Sequence, residues 1–268
     1  VGPEYWLVEF DDPSGCWKVT NSTQWMINIT TYPLSVSIER PAGESYLIGI
    51  DDVPIRGNVT DECPGSAGLV KGMNVKFFVN GEANSWECNA IDEGNGYYNC
   101  TLNSQEFWGL DYYNVSINAT KQYYNDSLGH LKENSFVLAT NPQIRNLQIS
   151  TNDNTDPNGW GEEYTIQVEV KDIDQAAFDY EISNVTLWVD YGEGYELVDY
   201  SECKSTTCQD WHTITFNEPG LFNYTDIGER QIKINVSDYW GYVNETNTTI
   251  NIKPDNLNIE FVQDPDMI

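Results

Sequence analysis

Twelve asparagines stand in the order Asn-x-Ser/Thr, the acceptor pattern for N-linked sugar: Asn21, Asn28, Asn58, Asn99, Asn114, Asn118, Asn125, Asn184, Asn223, Asn235, Asn244 and Asn247. With 28 Asn and 36 Ser or Thr in the chain, random order would give about four such triplets. The excess is explained by passage through a glycosylating secretory route. Covalent N-glycans are therefore expected, each on an exposed segment.

The six cysteines carry the second chemistry. Cys88 and Cys100 lie equidistant from Gly94 across the turn signal Glu93-Gly94-Asn95-Gly96, so a cross-strand disulfide is expected there. Cys203 and Cys208 close a short loop, and elimination leaves Cys16 to pair with Cys63. An even count divided four and two between the chain halves suits an oxidising compartment. Zinc is disfavoured, since there is no CxxC pair and the only histidines are His130 and His212.

Calcium is the one ion with a candidate loop. Asn154, Asp156 and Asn158 place oxygens at alternate positions before Gly159, and Glu162 stands at the ninth place. Thr165 occupies the position where a bidentate Glu would complete such a loop. Asp172 and Asp174 form a second acidic pair that could bridge strand ends. For both clusters the competing reading is a solvated acidic turn. No cofactor is otherwise expected.

Catalytic patterns are scarce. Gly65-Ser66-Ala67-Gly68 misses the G-x-S-x-G nucleophile spacing. Two histidines give a nucleophile little choice of base, and no glycine-rich phosphate loop is present. The 42 acids supply many carboxylate pairs, but none stands out as a glycosidase dyad. A non-enzyme is expected. Paired aromatics at Tyr112-Tyr113, Tyr123-Tyr124 and Tyr239-Trp240 are candidates for stacking on sugar rings, or for packing in a core.

These residues must be positioned by β-strands. Apolar residues alternate with polar ones in short runs, among them Trp25/Ile27/Ile29, Tyr46/Ile48/Ile50, Val75/Phe77/Val79, Ile166/Val168/Val170 and Ile232/Ile234/Val236, the period of half-buried strands. No segment follows helical period. Such strands, separated by Gly, Pro, Asn and Asp, predict an all-β chain of two tandem immunoglobulin-like β-sandwiches with terminal strand extensions. Asn141-Pro142 is the expected boundary, giving domains at 1–140 and 141–254. Residues 255–268 then form a further strand or linker.

A charge of −29 from 13 basic and 42 acidic residues repels phosphate backbones, so nucleic acid is an unsuitable partner. No stretch approaches the ~18 apolar residues of a spanning helix, so no direct membrane insertion is expected in this segment.

The run Ile232-x-Ile234-x-Val236-x-Asp238-x-x-Gly241 resembles the last hairpin of Ig-like, PKD-like and cadherin-like modules of prokaryotic surface proteins. Gly159-Trp160-Gly161-x-x-Tyr164, followed by Val168-x-Val170-x-Asp172-x-Asp174, is similar to repeats of archaeal surface-layer and related envelope glycoproteins. The first half lacks the Gly-Trp-Gly entry. The resemblance implies an extracellular structural subunit of a surface layer or filament, whose partners are copies of itself and surface glycans. An adhesin or carbohydrate-binding module of a larger surface protein is the alternative. The strand-like termini, residues 5–10 and 257–262, are expected to mediate polymerisation by strand addition. Trp160, between two glycines, is expected to plug the core, and Asp238 to hold a turn through its carboxylate.

Overall fold

The structure, a computed structural model, describes residues 33–254 apart from 62–67, 83, 107–108, 123, 128, 153–157, 179–181 and 205–206, and the strand backbones at 3–6, 9–10, 20–21 and 25–28. Cys16, Cys63, Asn154, Asp156, residues 255–268 and the side chains of Asn21 and Asn28 lie outside this description. Two compact units emerge, Val1–Leu138 and Ala139–Ile268. Among the described residues every regular element is a strand, save three short 3-10 turns at Ser104–Glu106, Ile173–Ala176 and Tyr224–Asp226.

Unit 1 contains β1 (Pro3–Trp6), β2 (Glu9–Phe10), β3 (Thr20–Asn21), β4 (Trp25–Asn28), β5 (Leu34–Arg40), β6 (Glu44–Leu47), β7 (Asp52–Asp61), β8 (Gly68–Leu69), β9 (Asn74–Asn80), β10 (Ser85–Asn89), β11 (Ile91–Asp92), β12 (Tyr97–Asn103), β13 (Asp111–Thr120) and β14 (His130–Ala139). One sheet runs β10-β9-β13-β14-β6, the other β11-β12-β7-β5 with β8 beside β7. Strict alternation decides the faces. On β7, Val53, Ile55 and Val59 point inward with no exposure, and on β9 Val75, Phe77 and Val79 do the same. Phe77, Tyr98, Tyr113, Phe136 and Leu102 fill this core, with Tyr113 stacked on Phe136 at 5.1 Å. Each buried phenol finds a partner, as burial requires: Tyr98 donates to Val70 O at 2.8 Å and Tyr113 to Gly109 O at 3.1 Å.

Two local expectations change. The alternation Tyr46/Ile48/Ile50 does not continue as a strand, because β6 ends at Leu47 and Gly49 turns the chain at φ +76°. Leu47 O accepts from the amides of Ile50 and Asp51, which leaves Ile50 69 % exposed. The N-terminal strands pair among themselves, β1 with β4 and β2 with β3, rather than joining either main sheet. Tyr5 and Trp6, the first two residues of the expected polymerising segment 5–10, are thus already paired with Met26 and Trp25.

Unit 2 contains β15 (Gln143–Thr151), β16 (Glu163–Lys171), β17 (Ile182–Asp190), β18 (Tyr195–Lys204), β19 (His212–Pro219), β20 (Gly228–Ser237) and β21 (Val243–Ile252). Its sheets run β15-β16-β19 and β18-β17-β20-β21, all antiparallel. Tyr164, Ile166, Leu187, Phe216, Phe222 and Ile234 form the centre of the core. Tyr164 donates to Gly159 O at 2.9 Å. Trp160 packs half-buried against this core and meets Tyr224 edge-on at 6.4 Å.

Candidate functional site

Acceptor placement follows from strand parity. An Asn in a strand shares its face with the hydroxyl residue two positions on. Asn58 and Asn99 lie on the outer face of the β11-β12-β7-β5 sheet, and Asn114 and Asn118 on that of the opposite sheet. In unit 2, Asn184, Asn235 and Asn247 share the outer face of the β18-β17-β20-β21 sheet. There Asn184 stands opposite Ser237 and Thr186 opposite Asn235, so two acceptor triplets pair with each other across β17 and β20. Strands β15, β16 and β19 contain no acceptor triplet. Asn125 and Asn223 are exposed in connections, and Asn244 is half-buried, donating to Pro142 O at 3.0 Å. None of these ten acceptors is a buried residue.

The disulfide Cys88–Cys100 is present, but not across a hairpin. Cys88 lies on β10 and Cys100 on β12, which belong to opposite sheets, with Cα atoms 6.7 Å apart. The chain changes sheet between β10 and β11, so the bond staples the two layers, as in immunoglobulin-type sandwiches. The tight hairpin joins β11 to β12. Gly96 within it has φ +87°, and a Cβ there would stand 2.5 Å from Leu69.

Cys203–Cys208 is a local clasp at the end of β18, both residues fully buried. Gln175 reads the loop from both sides: its amide nitrogen donates to Cys203 O and its oxygen accepts from Cys208 N, each at 2.9 Å. Asp172 N donates to Cys208 O at 2.7 Å.

That clasp borders the most unusual electrostatic feature among the described residues. Asp172, Asp174 and Asp238 are 1 %, 0 % and 5 % exposed. Asp172 accepts from Ser183 Oγ and from Asp174 N, Asp174 accepts from the amide and hydroxyl of Thr140, and Asp238 Oδ1 accepts from Tyr242 N at 2.8 Å. The second oxygen of Asp238 is buried without a partner. Burial raises all three carboxyls above their ordinary range, Asp174 to about 6 and Asp238 to about 7, with repulsion from Asp172 adding to the effect on Asp174 and from both on Asp238. The sequence made Asp172 and Asp174 visible as a pair. Asp238, expected only to hold a turn, joins them through the fold.

Among the described residues no three acidic, His or Cys side chains converge as a metal site. From the expected calcium loop, Asn158 is half-buried at φ +77°. Glu162 is 8 % exposed; its Oε1 accepts from Gly159 N at 2.9 Å and its Oε2 is buried without a hydrogen bond.

Unit 1 has a charged groove of about 420 Å³ on its β12-β7-β5 face, lined by Glu39, Pro54, Arg56, Glu93, Asn99 and Thr101. Arg56 lies over the Tyr97 ring at 4.0 Å, grips Glu93 with two N–H groups at 2.8 Å each, and pairs with Glu39. Hydrogen bonds from Arg56 and Asn99 hold the Glu93 carboxyl at about 2, well below its usual range. Nothing in the sequence signalled this network, whose members are set side by side only by strand register.

Of the aromatic pairs, Tyr113 is core and no platform, being 1 % exposed. Tyr112 and Tyr124 are half-buried, with Tyr124 OH donating to Asp61. Tyr239 is 56 % exposed and sits edge-on to Trp240 at 4.9 Å. Tyr123 lies outside the described residues.

The fold defines an all-β protein of two β-sandwich units. No protein-family model and no curated protein sequence matches the chain. Among solved structures it is similar to a 1.5-MDa bacterial ice-binding adhesin (12 % identity, TM-score 0.38) and to a tetra-tandem repeat from the extending region of a large adhesion protein (14 %, 0.33). It covers 66 % and 56 % of those chains, which in turn account for 84 % and 94 % of it. The chicken CNTN1 FN1–FN3 domains align at 8 % identity and a TM-score of 0.36, over 91 % of this chain and 76 % of theirs. Likeness at this level assigns neither a family nor a function. Among the described residues no helix is long and apolar enough to cross a membrane.

Proposed function

We propose that the chain is a non-enzymatic structural segment of an extracellular cell-surface glycoprotein, contributing spacing and stiffness rather than chemistry. The observation that carries this reading is that none of the ten acceptors with described side chains is buried while the chain holds three times the chance number of acceptors. The two disulfides seen among the described residues support an oxidising compartment. Antiparallel sandwiches resist extension through many strand hydrogen bonds, and glycans with surplus carboxylates keep the surface solvated. Intact-mass and glycopeptide measurements on native protein test it. Sugar on most acceptors is expected; a mass equal to the 30.5 kDa polypeptide would sink the reading.

The finer proposal is a subunit of an archaeal-type surface layer or filament, assembling with copies of itself, with residues 255–268 as the donated strand. Deleting them should abolish assembly followed by light scattering; an unchanged polymer refutes it. The alternative is an adhesin or glycan-binding module, motivated by the exposed Tyr239. Glycan-array binding lost in Tyr239→Ala would favour it, and a blank array would reject it. Calcium at Asn154, Asp156, Asn158 and Glu162 is a further proposal, motivated by the buried, unpartnered Glu162 oxygen. Calcium should then raise the thermal midpoint of wild type and not of Glu162→Gln.

A further inference from the structure

Asn99 and Asn244 are held through the side-chain nitrogen, Asn244 by the backbone oxygen of Pro142 and Asn99 by a carboxylate in a groove. Asn114, Asn118 and Asn223 engage the protein through their side-chain oxygen, accepting from Asn134 N, Ser127 Oγ and Thr225 N. Asn99 instead donates from Nδ2, the atom that would carry sugar, to Glu93 Oε1 at 2.9 Å. Glu93 is itself fixed by the two-pronged grip of Arg56, which rests on Tyr97. A primary amide has two N–H groups, and attachment of a sugar consumes one. One N–H therefore remains to donate to Glu93 after modification, so the contact is compatible with an attached sugar.

Asn99 itself lines the groove. Strand parity puts Asn99 and Thr101, the acceptor and hydroxyl positions of the triplet, on the same face of β12, and both line the 420 Å³ concavity. Its volume falls within the ~300–1,000 Å³ of small-molecule sites. Its walls are the kind that bind sugar: the carboxylates of Glu39 and Glu93 accept from hydroxyls, and the Thr101 hydroxyl both donates and accepts. Pro54, opposite Thr101 in the register, offers an apolar surface to a ring face.

We propose that this groove is the seat of the glycan on Asn99, whose inner sugars lie along the β7–β12 face against Pro54, Arg56 and Glu93 instead of projecting into solvent. The inference rests on the reading of the chain as an N-glycoprotein and adds where one glycan is held. It makes the groove a self-filled site, closed to external ligands in the mature protein, and the glycan a third layer over this sheet.

Limited periodate oxidation of the native, folded glycoprotein, read site by site as glycopeptides, tests it. Inner-sugar diols at Asn99 should oxidise several-fold more slowly than those at the exposed acceptors Asn118 and Asn184, and the difference should vanish in denaturant. Arg56→Ala should bring the Asn99 rate up to the others while leaving theirs unchanged; a variant that merely unfolds raises all rates together, and the wild-type comparison then decides. Equal rates in folded wild type overturn the inference. So does an unmodified Asn99 among occupied neighbours, which leaves the glycoprotein reading intact. Absence of sugar at every acceptor removes both.

Discussion

The two units place charge in opposite ways. In unit 1 the notable ionic group is at the surface, where Arg56 satisfies Glu39 and Glu93 and drives the Glu93 carboxyl down to about 2. In unit 2 it is inside: three aspartates are buried together, no basic group contributes to their titration, and two rise to about 6 and 7. The disulfides differ in parallel. Cys88–Cys100 crosses between sheets and clamps the core of unit 1, whereas Cys203–Cys208 fastens a five-residue loop onto the segment bearing the buried acids. A sandwich can thus be closed across its layers, or at one end by a polar plug. Among the described residues, the carboxyls raised by burial lie in the second unit.

The largest effect should come from the cores, where the units are alike. Phe77→Ala and Phe216→Ala each remove a ring with at most 1 % exposure and should cost about 3–5 kcal/mol in their own unit, measured by denaturant titration with a unit-specific probe. A loss under about 1 kcal/mol in either would mean that its core collapses around the vacancy and is not close-packed.

Next is the inter-sheet staple. Replacing Cys88 and Cys100 together by Ser should destabilise unit 1 by about 3 kcal/mol, the loop-closure value for a span near 12 residues. The same exchange at Cys203 and Cys208 closes a shorter loop and should cost about 2 kcal/mol by that term. It should also loosen the Gln175 and Asp172 contacts, seen as faster amide exchange at position 208 and at Asp174. If the order of the two losses is reversed, the polar plug matters more than the layer staple.

The pH response separates the units most sharply. Carboxyls raised on folding take up protons, so their contribution is fully present below the ordinary aspartate value near 4 and is lost as pH rises through about 6 and 7. Unit 2 should lose stability on the order of 2 kcal/mol between pH 5 and pH 8. Asp238→Asn keeps the bond from Tyr242 and cannot ionise. It should flatten that slope and be more stable than wild type at pH 8. A wild-type midpoint constant over this range would show that cations or water compensate the cluster. Glu93 works the other way, its contribution being present above the ordinary glutamate value and fading as pH falls toward about 2.

The smallest effect is expected at the surface network. Arg56 and its partners are solvent-accessible, so Arg56→Ala should leave the unfolding midpoint of unit 1 nearly unchanged at physiological salt. A substantial fall would mean that Arg56 matters through its packing on Tyr97, which Arg56→Met would restore.

The sequence by itself determined the strands wherever alternation was strong, as in Val75/Phe77/Val79 and Ile232/Ile234/Val236, because a half-buried strand leaves a period of two that no helix imitates. It also determined where acceptors could sit, since a triplet on a strand puts Asn and its hydroxyl partner on one face. Alternation failed at Tyr46/Ile48/Ile50, where Gly49 and the Asp51 carboxylate, which accepts from Leu47 N, close a turn that apolar pattern alone does not reveal. The partners across sheets were decided by tertiary structure. Cys88 and Cys100 flank a turn signal, yet the chain steps from one layer to the other between them, and only sheet order makes their bond a staple. Asp238 and the Asp172/Asp174 pair lie more than 60 residues apart, and Arg56 lies far from Glu93. Neither spacing carries a period, because these contacts are set by strand register and sheet packing, which no local stretch of the chain encodes.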